Sequence, residues 1–382
     1  MHVCNSVRLT LLSLALLVAA VSSAQILPTP APPVIGARSY IMIDHRTGRV
    51  LASHQADERL APASLTKLMT AYVVFHALQQ RQIQLDEEIT VSEKAWRTPG
   101  SRMFIEVGTQ VSIADLVLGM IVQSGNDASV ALAEHVAGTE SVFAELMNQY
   151  ARTIGMASTH FMNATGLPHD DHYSTARDLA TLARAIIEEF PDYYRWYSVK
   201  EFTYGDISQP NRNNLLWRDA SVDGMKTGHT DAAGYCLVSS AEREGMRVVT
   251  VVLGTASAKA RIDGSQALIN YGFRFFETRL VYAADQEITK IRIWKSANEF
   301  TSLGVIEDLY ITIPRGSYDS LEMIHKIPAI IEAPVAKSQP LAEIVLSLNG
   351  ASIATESLRA LDDNPEGSLW QQARDGISLW FE

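Results

Sequence analysis

The chain has 382 residues, 47% of them hydrophobic and 20% charged, with a formal net charge of -11. That length and balance suit two globular domains with sizeable cores and exclude a chain disordered throughout. The acidic balance argues against a polyanion such as nucleic acid as a partner, and no run of like charges marks a disordered tail.

The N-terminus predicts a secretory signal over residues 1–24. Arg8 supplies the positive charge, and Leu11 to Val21 is an apolar stretch too short to span a bilayer comfortably. Ser22-Ser23-Ala24 then offers small residues for cleavage after Ala24, which favours a removed signal over a retained anchor. The Pro-rich stretch LPTPAPP predicts an extended, solvated leader over residues 25–36. Cys4 leaves with the signal. Cys236 then stands alone, so no intramolecular disulfide is expected, and its strand-like surroundings suit a small core residue.

Ser39 to Asp44 and Val50 to Ser53 predict a strand pair around the turn His45-Arg46-Thr47-Gly48. Ser64 to Leu78 has helical periodicity. Ser112 to Val122 and Asn126 to Val136 predict two helices meeting at Ser124-Gly125, and Thr175 to Glu189 predicts an amphipathic helix. Strands follow at Gly224 to Thr227, Gly234 to Ala241 and Val248 to Leu253. The last two form a hairpin through the turn Glu242 to Met246. Ala258 to Phe276 is helical again. Strands at both ends with helices between them predict an α+β domain over residues 37–282, a sandwich of helices on an antiparallel sheet.

Beyond about Arg279 the runs become short and alternating: Ile288 to Trp294, Leu309 to Ile313, Ala329 to Glu332 and Glu343 to Leu348. They predict a small all-β domain over residues 283–363. Residues 366–382 predict a C-terminal amphipathic helix. Leu369, Trp370, Ala373, Ile377, Trp380 and Phe381 share an arc of about 120°, with Gln371, Asp375 and Ser378 opposite. Two tryptophans and a phenylalanine on one face suit a membrane interface, although Arg374 is the only basic residue there and Leu379 interrupts the polar face; the other reading is a helix docked on the protein itself.

Three short motifs carry chemistry. In Ser64-Leu65-Thr66-Lys67 the first and last residues share a helical face, so a hydroxyl and an amine point the same way. A serine hydroxyl becomes a competent nucleophile when a base removes its proton, and a lysine serves as that base when burial and neighbouring cations lower its pKa. Pro62 suits the start of a helix, which places the Ser64 amide where it can meet an oxyanion. Ser124-Gly125-Asn126 falls between two helices, where a loop aims side chains into a cleft. Lys226-Thr227-Gly228 opens a strand. Lys226 supplies a second cation near Lys67, Thr227 can bond a carboxylate, and Gly228 leaves room for an extended peptide at the strand edge. Each motif is weak alone; S-x-x-K usually marks plain helix surface.

Together and in this order, they form the motif set of penicillin-binding proteins and class A β-lactamases. The chain resembles a low-molecular-mass penicillin-binding protein of the D-alanyl-D-alanine carboxypeptidase type. APASLTKLMTAY, IVQSGNDASVA, NATGL, YSTARDL, NRNNLLW and VDGMKTGHTDAAGY extend the resemblance over the mature chain. The resemblance implies a β-lactamase/DD-peptidase-like fold and acyl transfer without a cofactor or metal. Ser64 would attack the carbonyl between two terminal D-alanines with Lys67 as base. Ser124 would relay a proton to the leaving amine, and Asn126 would bond the peptide and hold Lys67. The backbone N–H groups of Ser64 and His229 would receive the oxyanion, and Thr227 and Arg212 the terminal carboxylate. Arg212 fits the family pattern only with one residue deleted before Lys226. The implied partners are peptidoglycan stem peptides ending in D-Ala-D-Ala, β-lactam antibiotics and the inner-membrane surface. The implied location is periplasmic, on the outer face of that membrane.

Other readings have less support. A class A β-lactamase needs a glutamate, usually in E-x-x-L-N, and that pattern is absent from the sequence. DD-endopeptidase activity is possible within the family, and a silent wall-binding module is opposed by the intact motifs. His169-Asp170-Asp171-His172, with His160 nearby, offers metal-ligand types, but the spacing fits no strong zinc motif and suits a solvated polar loop.

Overall fold

A computed structural model describes residues 29–380. The signal segment, Cys4 and Phe381 lie outside the described residues. The first unit is built on a five-stranded antiparallel sheet. Its strand order is Val50–His54, Ser39–Asp44, Met246–Thr255, Gly234–Arg243, Val222–Thr230. Alternate residues of each strand point to opposite faces. Ile41 and Ile43, with Val249 and Val251, therefore join a core with the helices Thr66–Gln79 and Ala176–Glu189. Tyr40 and Met42, with Val248 and Val252, meet Leu268 and Ile269 of the helix Ala258–Phe275 on the other side. Burial on both faces explains why the central strands read as nearly continuous apolar runs.

The Thr66–Gln79 helix lies inside the helical layer and is apolar almost all round, as a helix without a solvent face must be. Cys236 is buried in the same core, and burial raises its thiol pKa to about 11. The described part of the leader is less free than its composition suggests. The Tyr271 hydroxyl donates to the Pro30 carbonyl at 2.8 Å, and Ile35 packs beside Gly264.

The second unit carries a five-stranded antiparallel sheet over a core of Ile291, Leu303, Ile344, Leu346 and Leu358. Phe276–Tyr282, counted from sequence with the first domain, pairs with Leu309–Pro314. Ala329 to Glu332 is not a strand; only Glu332 forms an isolated bridge, to Trp294. The units join through hydroxyls. Thr312 Oγ1 lies 2.7 Å from Thr47 Oγ1 and 3.0 Å from Thr278 Oγ1, while Thr278 donates to Asp44 Oδ2 at 2.7 Å.

The helix Leu369–Ser378 starts with a reciprocal cap between Ser368 and Gln371. Its polar side docks on the β unit: buried Asp375 accepts the Lys295 N–H at 2.9 Å, and Gln371 donates to the Ala297 carbonyl. Leu369, Trp370, Ile377 and Trp380 stay exposed.

Candidate active site

A single 3-10 turn, Ala63–Leu65, opens the Thr66–Gln79 helix, with the Leu65 N–H bonded to the Pro62 carbonyl. One turn separates Ser64 from Lys67, and their side chains meet with Lys67 Nζ 3.0 Å from Ser64 Oγ. The ammonium nitrogen has two further partners, Asn126 Oδ1 at 2.6 Å and the Thr165 carbonyl at 2.7 Å. Lys67 is buried, while Ser64 remains partly open to solvent.

The helix Ile113–Leu118 widens into a π-type turn over Gly119–Gln123 and ends at Ser124, which has the left-handed backbone φ of 69°. This reversal sends Asn126 back toward Lys67. The Asn126 Nδ2 donates to the Pro99 carbonyl at 2.6 Å, and its N–H donates to the Ser101 carbonyl at 2.7 Å. With both ends of its amide engaged, Asn126 presents oxygen, not nitrogen, to the lysine. Ser124 Oγ is buried and without a hydrogen-bond partner among the described residues. An unpartnered buried hydroxyl is costly and uncommon, which marks it as poised for something bound.

Thr227, Gly228 and His229 lie on the edge strand Val222–Thr230. With Ser64, Ser124 and Arg212 they line a cavity of about 260 Å³, closed further by Ser101, Tyr235 and Arg261. Lys226 is buried, its Nζ donating to the Thr227 carbonyl at 3.0 Å. Gly228 has a different necessity from the one its motif suggests. A Cβ there would stand 3.0 Å from the Pro62 carbonyl oxygen and 3.3 Å from the Ala63 Cβ, so its smallness seats the strand on the nucleophile turn. His229 is exposed, its ring 4.0 Å from that of Tyr235.

Burial first, and then the charge of Arg212, lowers the Lys67 pKa to about 7, against an opposing pull from Asp127. The sequence assigned the neighbouring cation to Lys226. The structure adds Arg212, while Lys226 also lies within electrostatic reach of Lys67. Lys226 is itself pushed well down by burial, then by Lys67 and Arg212. Two buried ammonium groups in mutual reach titrate as a pair and resist double protonation. Arg212 is held in place from both sides: Asn211 bonds the Val199 carbonyl, and Asn213 bonds the Gly224 carbonyl.

Sequence reasoning missed the supports. Asp127 accepts the N–H groups of Met103, Phe104 and Ile105, tying the loop that carries Pro99 and Ser101 to the Asn126 turn. Arg261 donates to the Gly228 carbonyl at 3.1 Å. Thr165 acts through its backbone, so no side-chain pattern announces it. The signal available was NATGL, where Asn163 Oδ1 takes the Thr165 and Gly166 N–H groups and folds the loop. The His-Asp-Asp-His stretch does not converge: His160 Nδ1 bonds the Asp171 carbonyl, and His172 faces Thr66.

A hydroxyl bonded to a lysine of lowered pKa, beside a free edge strand, defines a serine acyl-transfer hydrolase on a helix-and-sheet scaffold. The D-alanyl-D-alanine carboxypeptidase family model matches residues 27–257, and that of the penicillin-binding protein 5 C-terminal domain matches residues 276–366. The chain belongs to this family of low-molecular-mass penicillin-binding proteins. It is 41% identical over 360 residues to the D-alanyl-D-alanine carboxypeptidase DacA of Escherichia coli K12, covering 92% of this chain and 89% of the relative. With DacC of the same organism it shares 42% identity over 361 residues, covering 92% and 90%. Penicillin binding protein 5 from Haemophilus influenzae superposes with a TM-score of 0.86 at 42% identity, covering 88% of this chain and 100% of that one.

Proposed function

We propose that the chain is a serine D-alanyl-D-alanine carboxypeptidase that trims peptidoglycan stem peptides, with Ser64 as nucleophile and Lys67 as base. The observation that carries this reading is the 3.0 Å contact between Ser64 Oγ and Lys67 Nζ, made by a lysine whose pKa is about 7. A neutral amine is then available near neutral pH, the condition for a general base. Lys67 takes the Ser64 proton as Oγ adds to the carbonyl between the two D-alanines. The N–H groups of Ser64 and His229 stabilise the oxyanion. Collapse breaks the C–N bond, and the proton held by Lys67 is relayed through Ser124 to the leaving D-Ala amine, which leaves Lys67 neutral to activate the water. Water then adds to the ester and returns Ser64 to its hydroxyl form.

Asn126 orients Lys67, and Arg212 keeps the local field positive. Thr227 and Arg212 hold the substrate carboxylate, and Gly228 lets the peptide lie along the edge strand. A β-lactam presents the same carboxylate and a strained amide, and acylates Ser64. The β-lactamase, endopeptidase and silent-module readings are not favoured by the relatives the chain matches.

Residues 37–282 carry the chemistry in this reading, residues 283–363 form a spacer, and residues 366–382 attach to a membrane surface. The enzyme is exported and works in the periplasm. Support for attachment comes from the helix Leu369–Ser378, which docks by its polar side and leaves Trp370 and Ile377 exposed. Intact mass after brief penicillin exposure tests the chemistry. A one-to-one adduct that lasts for minutes in the wild type and is absent from Ser64→Ala is expected. Rapid drug turnover without an adduct would favour a β-lactamase, and neither adduct nor turnover would sink the mechanism.

A further inference from the structure

We propose that His172 is a positioning residue for the Ser64–Lys67 pair, acting through Thr66; this rests on the reading of Ser64 and Lys67 as nucleophile and base. His172 comes from the His-Asp-Asp-His stretch for which the chemistry above has no use. Its side chain is buried, with Nε2 2.8 Å from Thr66 Oγ1. On the other side of the ring, Nδ1 takes the Met162 N–H at 3.3 Å. A backbone N–H can be met only by a bare ring nitrogen, so the single proton sits on Nε2 and is donated to Thr66. Burial, then His160, His169 and Lys67, lowers the His172 pKa to about 4, so the ring is neutral wherever the enzyme works.

Thr66 stands between Leu65 and Lys67 at the first position of the nucleophile helix. The segment from Asn163 to His172 is attached to that helix at three successive points. Thr70 Oγ1 donates to the Ala164 carbonyl at 2.7 Å, Lys67 Nζ to the Thr165 carbonyl at 2.7 Å, and His172 to Thr66. The middle contact is one of the three bonds that orient the base. The Thr70 bond fixes its near side, and the His172 bond closes the far end of the segment. Losing the far attachment lets the Thr165 carbonyl drift from Lys67, and the lysine drift from Ser64. Misplacement of a reacting pair by about 1 Å costs on the order of 100-fold in rate.

The test compares His172→Leu, His172→Gln and Thr66→Val with the wild type. Each is assayed for penicillin acylation rate, kcat and KM for D-Ala release, and Tm. A glutamine amide nitrogen can reach the Nε2 position and donate to Thr66; leucine cannot. His172→Leu is expected to lose about 10- to 100-fold in acylation rate and kcat with KM nearly unchanged. His172→Gln should recover to within about threefold, and Thr66→Val should match the leucine variant. Wild-type rates in His172→Leu, a loss confined to KM, or a glutamine variant that regains Tm but not rate would overturn the inference. Should His172→Leu not fold, wild-type kcat in Thr66→Val would overturn it equally. Failure of the wild type to form an adduct is a separate outcome, which removes Ser64 and Lys67 as the reacting pair and this role with them.

Discussion

Gly166 rides on the carbonyl of Ala63: a methyl group added at its Cα would stand 1.8 Å from the Ala63 oxygen. Its φ of 82° is also one that L side chains rarely adopt. The neighbouring Thr165 carbonyl accepts from Lys67 Nζ at 2.7 Å, so the close approach sits beside the nucleophile–base pair. Gly166→Ala therefore combines backbone strain with a clash against backbone, which cannot rotate away. A loss of about 2 kcal/mol or more is expected, read as a lower Tm, together with slower acylation.

The acylation rate should rise with pH along a limb near 7, where Lys67 loses its proton. Arg212→Gln removes the cation that helps hold that pKa down, so the limb should move to higher pH. A pH profile of kcat/KM or of penicillin acylation checks this, separately from any loss of carboxylate binding. The same depression bears on stability. A lysine with a folded pKa near 7 and an unfolded one near 10.5 binds fewer protons when folded across that window. Its contribution to stability should rise from pH 7 toward 10.5 and be most unfavourable below 7.

Ser124→Ala deletes a buried hydroxyl that has no partner among the described residues. Removing it leaves no other group stranded, so Tm should change by a few degrees at most. Proton transfer to the leaving amine should suffer far more, with kcat down by about 100-fold or more. A large fall in Tm with kcat retained would contradict both halves of the expectation.

Asp127→Ala should act in the opposite way, through the fold. It strands the N–H groups of Met103, Phe104 and Ile105, which the carboxylate now collects from one loop. A loss of about 2–4 kcal/mol is expected in denaturant unfolding. Activity should fall with it, because that loop also carries the Pro99 and Ser101 carbonyls that hold Asn126.

Trp370→Glu places a charge on the exposed face of the C-terminal helix without touching the Asp375 contacts that dock it. Sedimentation with anionic vesicles should fall severalfold while penicillin acylation stays at the wild-type rate. Unchanged sedimentation would remove this face as the attachment surface.

The motif residues and the sheet strands around them were legible because each has a local signature: a spacing, a period or a turn. The Ser64–Lys67 contact follows from helical spacing, and the two-faced sheet follows from long apolar runs such as Met246–Thr255. What was not legible depends on long-range placement. Thr165 contributes a carbonyl, and any residue type carries one. Arg212 was given a role by family pattern alone, and its influence on Lys67 depends on how Asn211 and Asn213 pin its backbone. The helix Glu140–Thr153 and the strands Phe300–Gly304, Leu321–Lys326 and Ala351–Ala360 went unread. Leu321–Lys326 is almost wholly exposed, so burial imposes no alternation on it.

The hydroxyl joint between the two units has a mechanical consequence. Across the sheet, Thr227, Leu237, Val252 and Tyr40 lie in one row, and Val222, Ala241, Val248 and Asp44 in another. Four residue steps of strand separate Tyr40 from Asp44, about 13 Å at ~3.3 Å each. The joint grips the Asp44 row, and the nucleophile turn faces the other. A pull or tilt applied through the β unit therefore enters the sheet at the Asp44 end, through Thr47, Thr278 and Thr312 and the covalent link into Phe276, at the opposite end of the strands from Lys226–His229. The chain is built like a tool with its handle at one end of the sheet and its cutting edge at the other, about four residue steps of strand apart.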